Sequence, residues 1–400
     1  MESKRYRLAV VVSNPIQYHA PLYSYLAKDG RFDLKVFYMS DRGARPFYEK
    51  FSRTIVKYDN PILDGYQYVF LNPGEPRGWW EKRTELLSFQ LTRRLLEFSP
   101  QAVYFHGYAN PTYWWAILNC RRKGVKVLLR GENEDILPRP LWRSCLRETF
   151  LRIFLLPNVD GFLYIGTRNK EFFLRRNIPE SKLFFVPYSV DGAYFKAGFS
   201  QTEIEGIRRK IIRQYTLEEG IRLFIYTHKL RSSMRPLDAV NAFCEALSSG
   251  VSHAALIMCG DGELRSEAER IARAKGKGKI IFTGYLNQSE LRDHLLISDV
   301  MINPAQEPWG CSVNEGLACG LAVISSDLVV GWPDMVIPEV NGYVYPCGDL
   351  KELSGYICKI CSFSPDDLNK FEEASLALSR KLSFATCADG LQAAMRTLLT

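Results

Sequence analysis

Short, almost wholly apolar segments alternate with helical segments along the whole chain, and this alternation constrains the fold more than any other feature. Strands that are buried on both faces are apolar throughout, as in parallel sheets covered by helices. The sequence therefore predicts an α/β protein with two doubly wound, Rossmann-like domains. The predicted strands are 8–12, 34–38, 68–71, 103–105, 125–129, 162–165 and 183–186 in the first half, and 223–226, 255–259, 280–282, 300–302, 321–324 and 343–345 in the second.

The boundary between the two domains is predicted within 187–200, where turn residues separate a strand from a charged helix. We expect a first domain over 1–195 and a second domain over 196–383. A chain of 400 residues is long enough for two separate hydrophobic cores.

The first half of the chain is basic and rich in aromatic residues. Residues 1–200 hold 31 Lys and Arg against 19 Asp and Glu, whereas residues 201–400 hold 21 against 25. Two interpretations stand beside each other: an aromatic core under a solvated basic surface, or a face for anionic lipid or a lipid-linked acceptor. The stretches 79–98 and 142–154 have basic and apolar residues at helical spacing, which fits either a packed helix or peripheral contact with a membrane.

Several observations predict a cytoplasmic protein, and peripheral contact with the inner face of the membrane is compatible with that prediction. No run approaches 18 consecutive apolar residues, and the N-terminus lacks the longer apolar core of a signal peptide. The ten cysteines are scattered, and the close pair Cys358 and Cys361 has no companion pair, so we expect thiols and no metal site. The lysine-rich run 273–279 reads as a solvated helix end, and we expect no nucleic-acid partner.

The stretch 299–326 carries the strongest signal of chemistry. Glu307 follows an apolar strand, and Glu315 lies eight positions later in the first turns of a predicted helix that contains small residues. Helix N-termini bind anions because their first amides are unpaired and the helix dipole is positive there. A loop acid and a helix acid at such a terminus can together hold a diphosphate and a group with many hydroxyls, as in a nucleotide sugar.

This stretch resembles the Glu-x7-Glu signature of retaining glycosyltransferases with the GT-B fold, the group 1 or family 4 type. The resemblance implies two domains facing each other across a cleft, with the last helix, 384–399, returning to the first domain. It implies that Glu307 contacts the transferred sugar and that Glu315 accepts the ribose hydroxyls. Gly310, Cys311 and Ser312 would present backbone amides to the distal phosphate. Two alternatives stay open: Glu307 as an exposed loop acid, and Ser312 with Glu315 as a capping box.

The segment after strand 223–226 resembles the family's basic phosphate-binding segment. Lys229 occupies the first basic position, whereas the second falls on Met234, where the family has a lysine. Arg231 or Arg235 could reach the same phosphates, because a guanidinium binds them well. By the same resemblance, Gly262 lies in the loop beside the nucleotide and Leu286 lines the base pocket.

In the first domain, His106 follows strand 103–105, and ligands of open α/β sheets lie at the carboxyl ends of strands. The resemblance implies that His106 contacts the transferred sugar; the alternative is a histidine bonded within its loop. Many relatives have a glycine-rich turn after the first strand, and this chain does not. Asn14 and His19 are therefore predicted to contact the acceptor or a phosphate, and Arg130 and Glu132 form another edge of the same cleft.

The sequence thus predicts an enzyme that transfers a hexosyl group from a nucleotide-diphosphate sugar to a hydroxyl of a glycan or lipid-linked acceptor, with retention and without a metal or other cofactor. The setting expected is the synthesis of a surface polysaccharide. Two alternatives remain: a nucleotide-sugar epimerase of similar fold, and a non-catalytic protein that binds nucleotide sugars. A dehydrogenase is not expected, because no Gly-x-Gly-x-x-Gly follows a strand.

Overall fold

The computed structural model describes residues 5–49, 54–74 and 87–400. The predicted helical stretch 79–98 therefore lies partly outside the described residues, up to residue 86. The chain divides into two units, of which unit 1 comprises Met1–Phe47, Pro61–Ser189 and Phe384–Thr400, and unit 2 comprises Tyr48–Asn60 and Val190–Ser383.

The strands within the described residues are nearly all short. They are β1 (Tyr6–Val12), β2 (Phe32–Ser40), β3 (Phe47–Glu49), β4 (Thr54–Val56), β5 (Gln67–Asn72), β6 (Ala102–His106), β7 (Lys126–Arg130), β8 (Gly161–Tyr164), β9 (Leu183–Phe185), β10 (Arg222–Tyr226), β11 (Ala254–Cys259), β12 (Ile280–Gly284), β13 (Val300–Asn303), β14 (Ala322–Ser326) and β15 (Gly342–Tyr345).

The α-helices of the same residues are α1 (Ala20–Lys28), α2 (Gln90–Phe98), α3 (Pro111–Arg122), α4 (Leu141–Phe150), α5 (Thr167–Leu174), α6 (Gln201–Gln214), α7 (Pro236–Ser248), α8 (Arg265–Lys275), α9 (Gln288–Ile297), α10 (Cys311–Cys319), α11 (Trp332–Met335), α12 (Leu350–Cys361), α13 (Pro365–Lys381) and α14 (Phe384–Leu399). A π-helical turn, Leu151–Leu155, continues α4. Short 3-10 helices occur at Leu156–Asn158, Glu180–Lys182, Lys196–Gly198 and Ser232–Met234.

Unit 1 is a seven-stranded parallel sheet in the order β5-β2-β1-β6-β7-β8-β9. Alternate residues of β1 point to opposite faces, so Val11 packs under α2 and α3 while Val10 packs under α1 and α14. The last helix, α14, therefore buries Leu391 and Met395 in the core of unit 1. Both faces of the sheet are covered, which explains why its strands are apolar throughout.

Unit 2 contains a six-stranded parallel sheet in the order β12-β11-β10-β13-β14-β15. Helices α7, α8 and α12 bury Val240, Ala268 and Ile357 against one face. Helix α9 contacts β10, α10 contacts β13 and β14, and α13 contacts β14. Apolar side chains such as Phe224 and Leu256 fill the layer between the sheet and the first group of helices.

A short excursion of the N-terminal half, Tyr48–Asn60, belongs to unit 2 rather than unit 1. It includes β4, which pairs with β3 in a separate two-stranded sheet. Asp59 accepts hydrogen bonds from the backbone N–H groups of Gln288 and Ser289 at 3.2 and 3.0 Å, and so caps the N-terminus of α9. In the sequence this excursion falls within the first domain expected over 1–195.

The fold class predicted from the sequence is confirmed, because two parallel α/β sheets of seven and six strands are present. Each of the thirteen predicted strands is found within a few residues of its expected position. No helix within the described ranges is long and apolar enough to span a bilayer.

Candidate functional site

The strand order of unit 2 reverses direction between β10 and β13. In open α/β sheets the crevice beyond the carboxyl ends of two such strands is the usual place for a ligand. Segments 227–235 and 304–310 leave the sheet at this point, and they carry five of the residues that the sequence predicted for donor binding: Lys229, Arg231, Arg235, Glu307 and Gly310.

His228, two residues beyond β10, joins these two segments. Its Nε2 lies 3.1 Å from the Ser312 hydroxyl oxygen in the first turn of α10. The same nitrogen lies 3.9 Å from Oε1 of Glu307. The imidazole packs edge-on against the ring of Tyr226, with centroids 5.4 Å apart. Sequence reasoning missed His228, because Glu307 and Ser312 come close to it only through the strand order.

The basic residues of this loop differ in their surroundings. Lys229 is about two-fifths exposed, and its Nζ lies 3.1 Å from a carboxylate oxygen of Glu49, which comes from the excursion of the N-terminal half. Arg235 is paired with Asp238, with 2.6 Å between Nε and Oδ2. Burial raises the pKa of the Tyr226 phenol well above its usual value. The charge of Glu307 raises this pKa further, and the charge of Arg231 lowers it. Arg231 therefore shares an environment with Glu307, whereas Arg235 is held by its own helix.

Glu307 is held firmly at the start of the loop between β13 and α10. Its backbone N–H donates to Leu328 at 3.1 Å, and its carbonyl accepts from Val330 at 2.9 Å. Its Oε1 accepts a hydrogen bond from Nδ2 of Asn303, a fully buried residue at the end of β13, at 2.9 Å. The alternative of an exposed loop acid does not fit this position, because the Glu307 side chain is only 16% exposed.

Helix α10 begins without a side-chain cap. Gly310 is the N-cap residue, with a φ of +112°, and a glycine has no side chain that could accept from the first amides of the helix. A Cβ at Gly310 would lie 2.9 Å from Cγ1 of Val329, so both the backbone conformation and the packing require glycine. The capping-box interpretation of Ser312 and Glu315 is wrong, because the helix starts one residue before Ser312, at Cys311, and the Ser312 hydroxyl faces His228 instead.

Glu315 is almost completely buried on α10 and is only 7% exposed. Burial raises the pKa of this carboxyl to about 8. No neighbouring charge or hydrogen bond among the described residues counteracts that effect. A buried carboxyl group with a strongly raised pKa costs folding stability once it is ionised, and such groups concentrate at functional sites.

Gly262 and Leu286 lie on the side of the sheet toward β12. A Cβ at Gly262 would lie 2.5 Å from the carbonyl oxygen of Leu230, so the loop after β11 packs directly on the segment that carries Lys229. Two backbone hydrogen bonds, from Leu230 to Asp261 and from Leu264 to Leu230, fix this contact. Leu286 is half-buried in the turn between β12 and α9, and β11 separates its strand from β10.

Unit 1 has its own reversal of strand order, between β1 and β6. His19 follows β1 and His106 ends β6, and their ring centroids lie 4.2 Å apart. Nε2 of His106 lies 2.8 Å from the Tyr23 hydroxyl. Neither ring nitrogen of His19 has a hydrogen-bond partner within the described part of the chain. Burial, and secondarily the charge of Arg130, lowers the pKa of His19 to about 3.

Burial also lowers the pKa of His106 well below its usual value, with smaller contributions from His19 and Arg130. Both imidazoles are therefore neutral at physiological pH, and each offers one N–H donor and one acceptor nitrogen. Such a pair suits a hydroxyl group better than a phosphate.

Arg130 is the largest fully buried side chain of the described residues. It donates to the Tyr104 hydroxyl at 3.1 Å and to the Pro187 carbonyl at 2.6 Å, and its guanidinium lies over the ring of Tyr188. Glu132 accepts a hydrogen bond from the Tyr188 hydroxyl at 2.8 Å. Asn14 is half-buried in the loop after β1 and donates to the neighbouring Pro15 carbonyl. Arg130 is therefore bonded to the segment Pro187–Tyr188 and lies near enough to both histidines for its charge to lower their pKa values.

The structure thus brings the predicted residues together in two groups. In unit 2, Lys229 and Arg231 follow β10, Glu307 and Gly310 follow the neighbouring strand β13, and Ser312 lies in the first turn of α10, with Cys311 and Glu315 on the same helix. His228 links the two segments through its contacts with Ser312 and Glu307. In unit 1, His19, His106 and Arg130 form the second group. No cluster of three or more metal-binding side chains occurs among the described residues.

Residues 207–375 match the family model of glycosyl transferases, group 1. The chain carries a group 1 glycosyltransferase domain. Group 1 is a retaining family that uses nucleotide sugars, and the prediction of a nucleotide-sugar-dependent glycosyltransferase is confirmed at this level. The match covers the part of the chain that contains Lys229, Glu307 and Glu315. No curated protein sequence matches the chain significantly.

Several solved structures are similar to nearly the whole of this chain. A glycosyltransferase from Rickettsia africae is 15% identical, with a TM-score of 0.71 over 98% of this chain and 99% of that one. The lipopolysaccharide outer core galactosyltransferase WaaB is 14% identical, with a TM-score of 0.65 over 98% and 99%. HepE of Anabaena, solved with UDP and glucose, is 14% identical, with a TM-score of 0.67 over 98% and 100%. These similarities establish the GT-B fold of the chain.

Proposed function

We propose that this glycosyltransferase moves a hexosyl group from a nucleotide-diphosphate sugar to a hydroxyl of a glycan or lipid-linked acceptor, with retention of configuration and without a metal. The observation that carries the proposal is that, within unit 2, a basic segment, two acids of low exposure and the N-terminus of α10 follow the neighbouring strands β10 and β13. Lys229 and Arg231 follow β10, Glu307 follows β13, and α10 begins between them at Gly310.

The charges at this point suit a diphosphate leaving group. The first amides of α10 and the cations after β10 stabilise negative charge that develops on the leaving diphosphate. In many transferases a divalent metal supplies that charge, and here Lys229 and Arg231 would supply it. Activity is therefore expected to persist in the presence of EDTA.

The two acids suit the hydroxyl-rich parts of the donor. Glu307 is anchored by Asn303 and by backbone contacts on both sides, so it can orient a sugar ring with little loss of conformational entropy. Glu315 is buried, and no hydrogen bond or charge from the described residues offsets that burial, so ribose hydroxyls would supply the donors that its ionised form requires. HepE was solved with UDP-glucose, which makes UDP-glucose the first donor to test.

The decisive experiment combines binding and turnover. The protein is screened by thermal shift against UDP-, GDP- and ADP-sugars, and the stabilising donor is then incubated with and without a bacterial lipid extract while nucleoside diphosphate release is measured. Acceptor-dependent release and an NMR signal for the retained anomer are expected. Conversion of the donor to an epimer without acceptor would support the epimerase instead.

Substitutions test the residue roles. Lys229→Met and Glu307→Gln are expected to lower kcat about 100-fold or more, because each removes an interaction with charge or hydroxyls near the reaction centre. Lys351→Met is the matched control, because Lys351 is exposed on α12, far along the chain from the site. Equal activity of Lys229→Met and Lys351→Met would refute the assignment of Lys229.

We further propose that unit 1 contacts an anionic membrane through α4 and the π-helical turn that follows it. Trp142, Leu146 and Ile153 recur at helical spacing and are 60%, 64% and 75% exposed. Arg143 lies over the indole of Trp142 at 5.0 Å from the ring centroid. Exposed apolar side chains beside a cation are the pattern of a helix that lies in a bilayer interface.

Vesicle flotation tests this contact. The protein is expected to float with vesicles that contain anionic phospholipid, and to lose part of that binding at high salt or without the anionic lipid. The double variant Leu146→Ser and Ile153→Ser is expected to remain in the unbound fraction. Val340→Ser removes an exposed apolar side chain of unit 2 as a control and should float like the wild type. Unchanged flotation of the double variant would refute the contact.

A further inference from the structure

His228 occupies a position from which it can act on the donor, although no sequence pattern assigns it a role. It follows the central strand β10 at the reversal of strand order in unit 2. Its imidazole reaches the first turn of α10, 3.1 Å from the Ser312 hydroxyl, and lies 3.9 Å from Glu307. The first amides of α10 and the neighbouring Lys229 form the proposed phosphate site, so the ring borders that site directly.

The basic segment has one cation fewer than the resemblance leads one to expect. The family lysine is replaced by Met234, whose carbonyl accepts a hydrogen bond from the Tyr226 hydroxyl at 3.0 Å. Arg235, the next residue, is paired with Asp238. His228 is therefore well placed to supply a second side-chain donor toward the helix N-terminus.

We propose that His228 donates a hydrogen bond to the distal phosphate of the nucleotide-sugar donor, in place of the lysine that Met234 replaces. This inference rests on the proposed function of the same site. An imidazole donates an N–H in either protonation state, and a hydrogen bond to a charged phosphate is stronger than one to a neutral group.

The imidazole is not needed to hold its own loop. Gly260 packs directly on the backbone of His228, and a Cβ at Gly260 would lie 2.2 Å from the His228 carbonyl oxygen. The next turn of the loop is held by backbone hydrogen bonds of Leu230 with Asp261 and Leu264. Glu307 is already satisfied by Asn303 and is too far from Nε2 for a hydrogen bond. Substitution of the ring should therefore leave the loop folded.

The test compares nucleoside diphosphates with the corresponding monophosphates, because only the former reach a distal phosphate. Binding of UDP and UMP, GDP and GMP, and ADP and AMP is measured by calorimetry for the full chain and for the variants His228→Phe and His228→Gln. His228→Phe is expected to weaken diphosphate binding about tenfold, which equals about 1.4 kcal/mol, with monophosphate binding unchanged. His228→Gln keeps an N–H donor and should retain part of the difference.

The controls separate the possible failures. His253→Gln changes an exposed histidine of the same unit, 58% exposed, and should bind like the wild type. If the wild type binds a nucleoside diphosphate and His228→Phe weakens mono- and diphosphate equally, or weakens neither, the role of His228 is refuted while the proposed function stands. If the wild type binds no nucleoside diphosphate, the proposed function fails and this inference fails with it.

Discussion

The buried carboxyl of Glu315 leads to a prediction that links stability to donor binding. Its pKa is raised from 4.5 to about 8 by burial. Between these values the folded protein binds more protons than the unfolded chain, so stability falls as the pH rises from about 4.5 to about 8. The difference of roughly 3.5 pKa units corresponds to at most about 5 kcal/mol. This cost is fully present above pH 8.

Glu315→Gln removes the ionisable group while keeping its shape. We expect the variant to match the wild type in urea unfolding near pH 5 and to be more stable near pH 9, by up to about 5 kcal/mol. Glu373→Gln is the control, since Glu373 is exposed on α13 of the same unit and should leave the pH dependence unchanged. Parallel stability profiles for Glu315→Gln and the wild type would refute the reasoning.

Donor binding should reverse this protonation. At pH 7 a carboxyl with a pKa of about 8 is roughly 0.9 protonated, and ribose hydroxyls that donate to its ionised form would release that proton. Calorimetry of nucleotide binding in buffers of different ionisation enthalpy should therefore show release of up to about one proton for the wild type and nearly none for Glu315→Gln. Weaker binding by the variant is expected as well. Equal affinity together with equal proton release would show that Glu315 does not meet the ribose.

Three further predictions follow from individual contacts. Glu49→Gln should tighten nucleoside diphosphate binding two- to fivefold, because exposed ion pairs are worth about 0.2–1 kcal/mol and this one occupies Lys229; weaker binding would contradict it. Gly310→Ala should lower the free energy of unfolding by about 1–3 kcal/mol and impair donor binding, since its φ is +112°; an unchanged melting temperature would refute the strain. His19→Gln should flatten the acid side of the stability profile, because a histidine whose pKa is lowered from 6.5 to about 3 makes the protein lose stability as the pH falls through that interval; an unaltered acid transition would contradict the burial argument.

The strands could be predicted because each sheet is covered on both faces, and a strand that is buried on both faces is a continuous run of apolar residues. The excursion Tyr48–Asn60 could not be predicted in the same way. Its strands β3 and β4 are three residues each, too short for a periodic pattern. What holds it to unit 2 is polar: Glu49 pairs with Lys229 and Asp59 caps α9, and such contacts leave no regular trace in sequence.

The candidate site shows the same division between local and long-range information. Glu307 and Glu315 were found from their spacing, because a loop acid and a helix acid are local features. His228 was missed because its neighbour Glu307 lies 79 residues away and approaches only through the pairing of β10 with β13. The capping-box alternative is wrong because the N-cap residue is Gly310 rather than Ser312, so the helix starts two residues earlier than the pattern indicates.

The two units differ in the helices that follow the strands where the strand order reverses, and this difference indicates which unit should receive the diphosphate. In unit 1 the helices that follow β1 and β6 both carry proline in their first turn, which removes an amide donor, and α3 is capped by Asn110. In unit 2, α7 after β10 also begins with a proline, but α10 after β13 has no proline in its first turn, and its N-cap residue, Gly310, has no side chain. An anion therefore gains more from α10, whereas the neutral histidines of unit 1 suit hydroxyls.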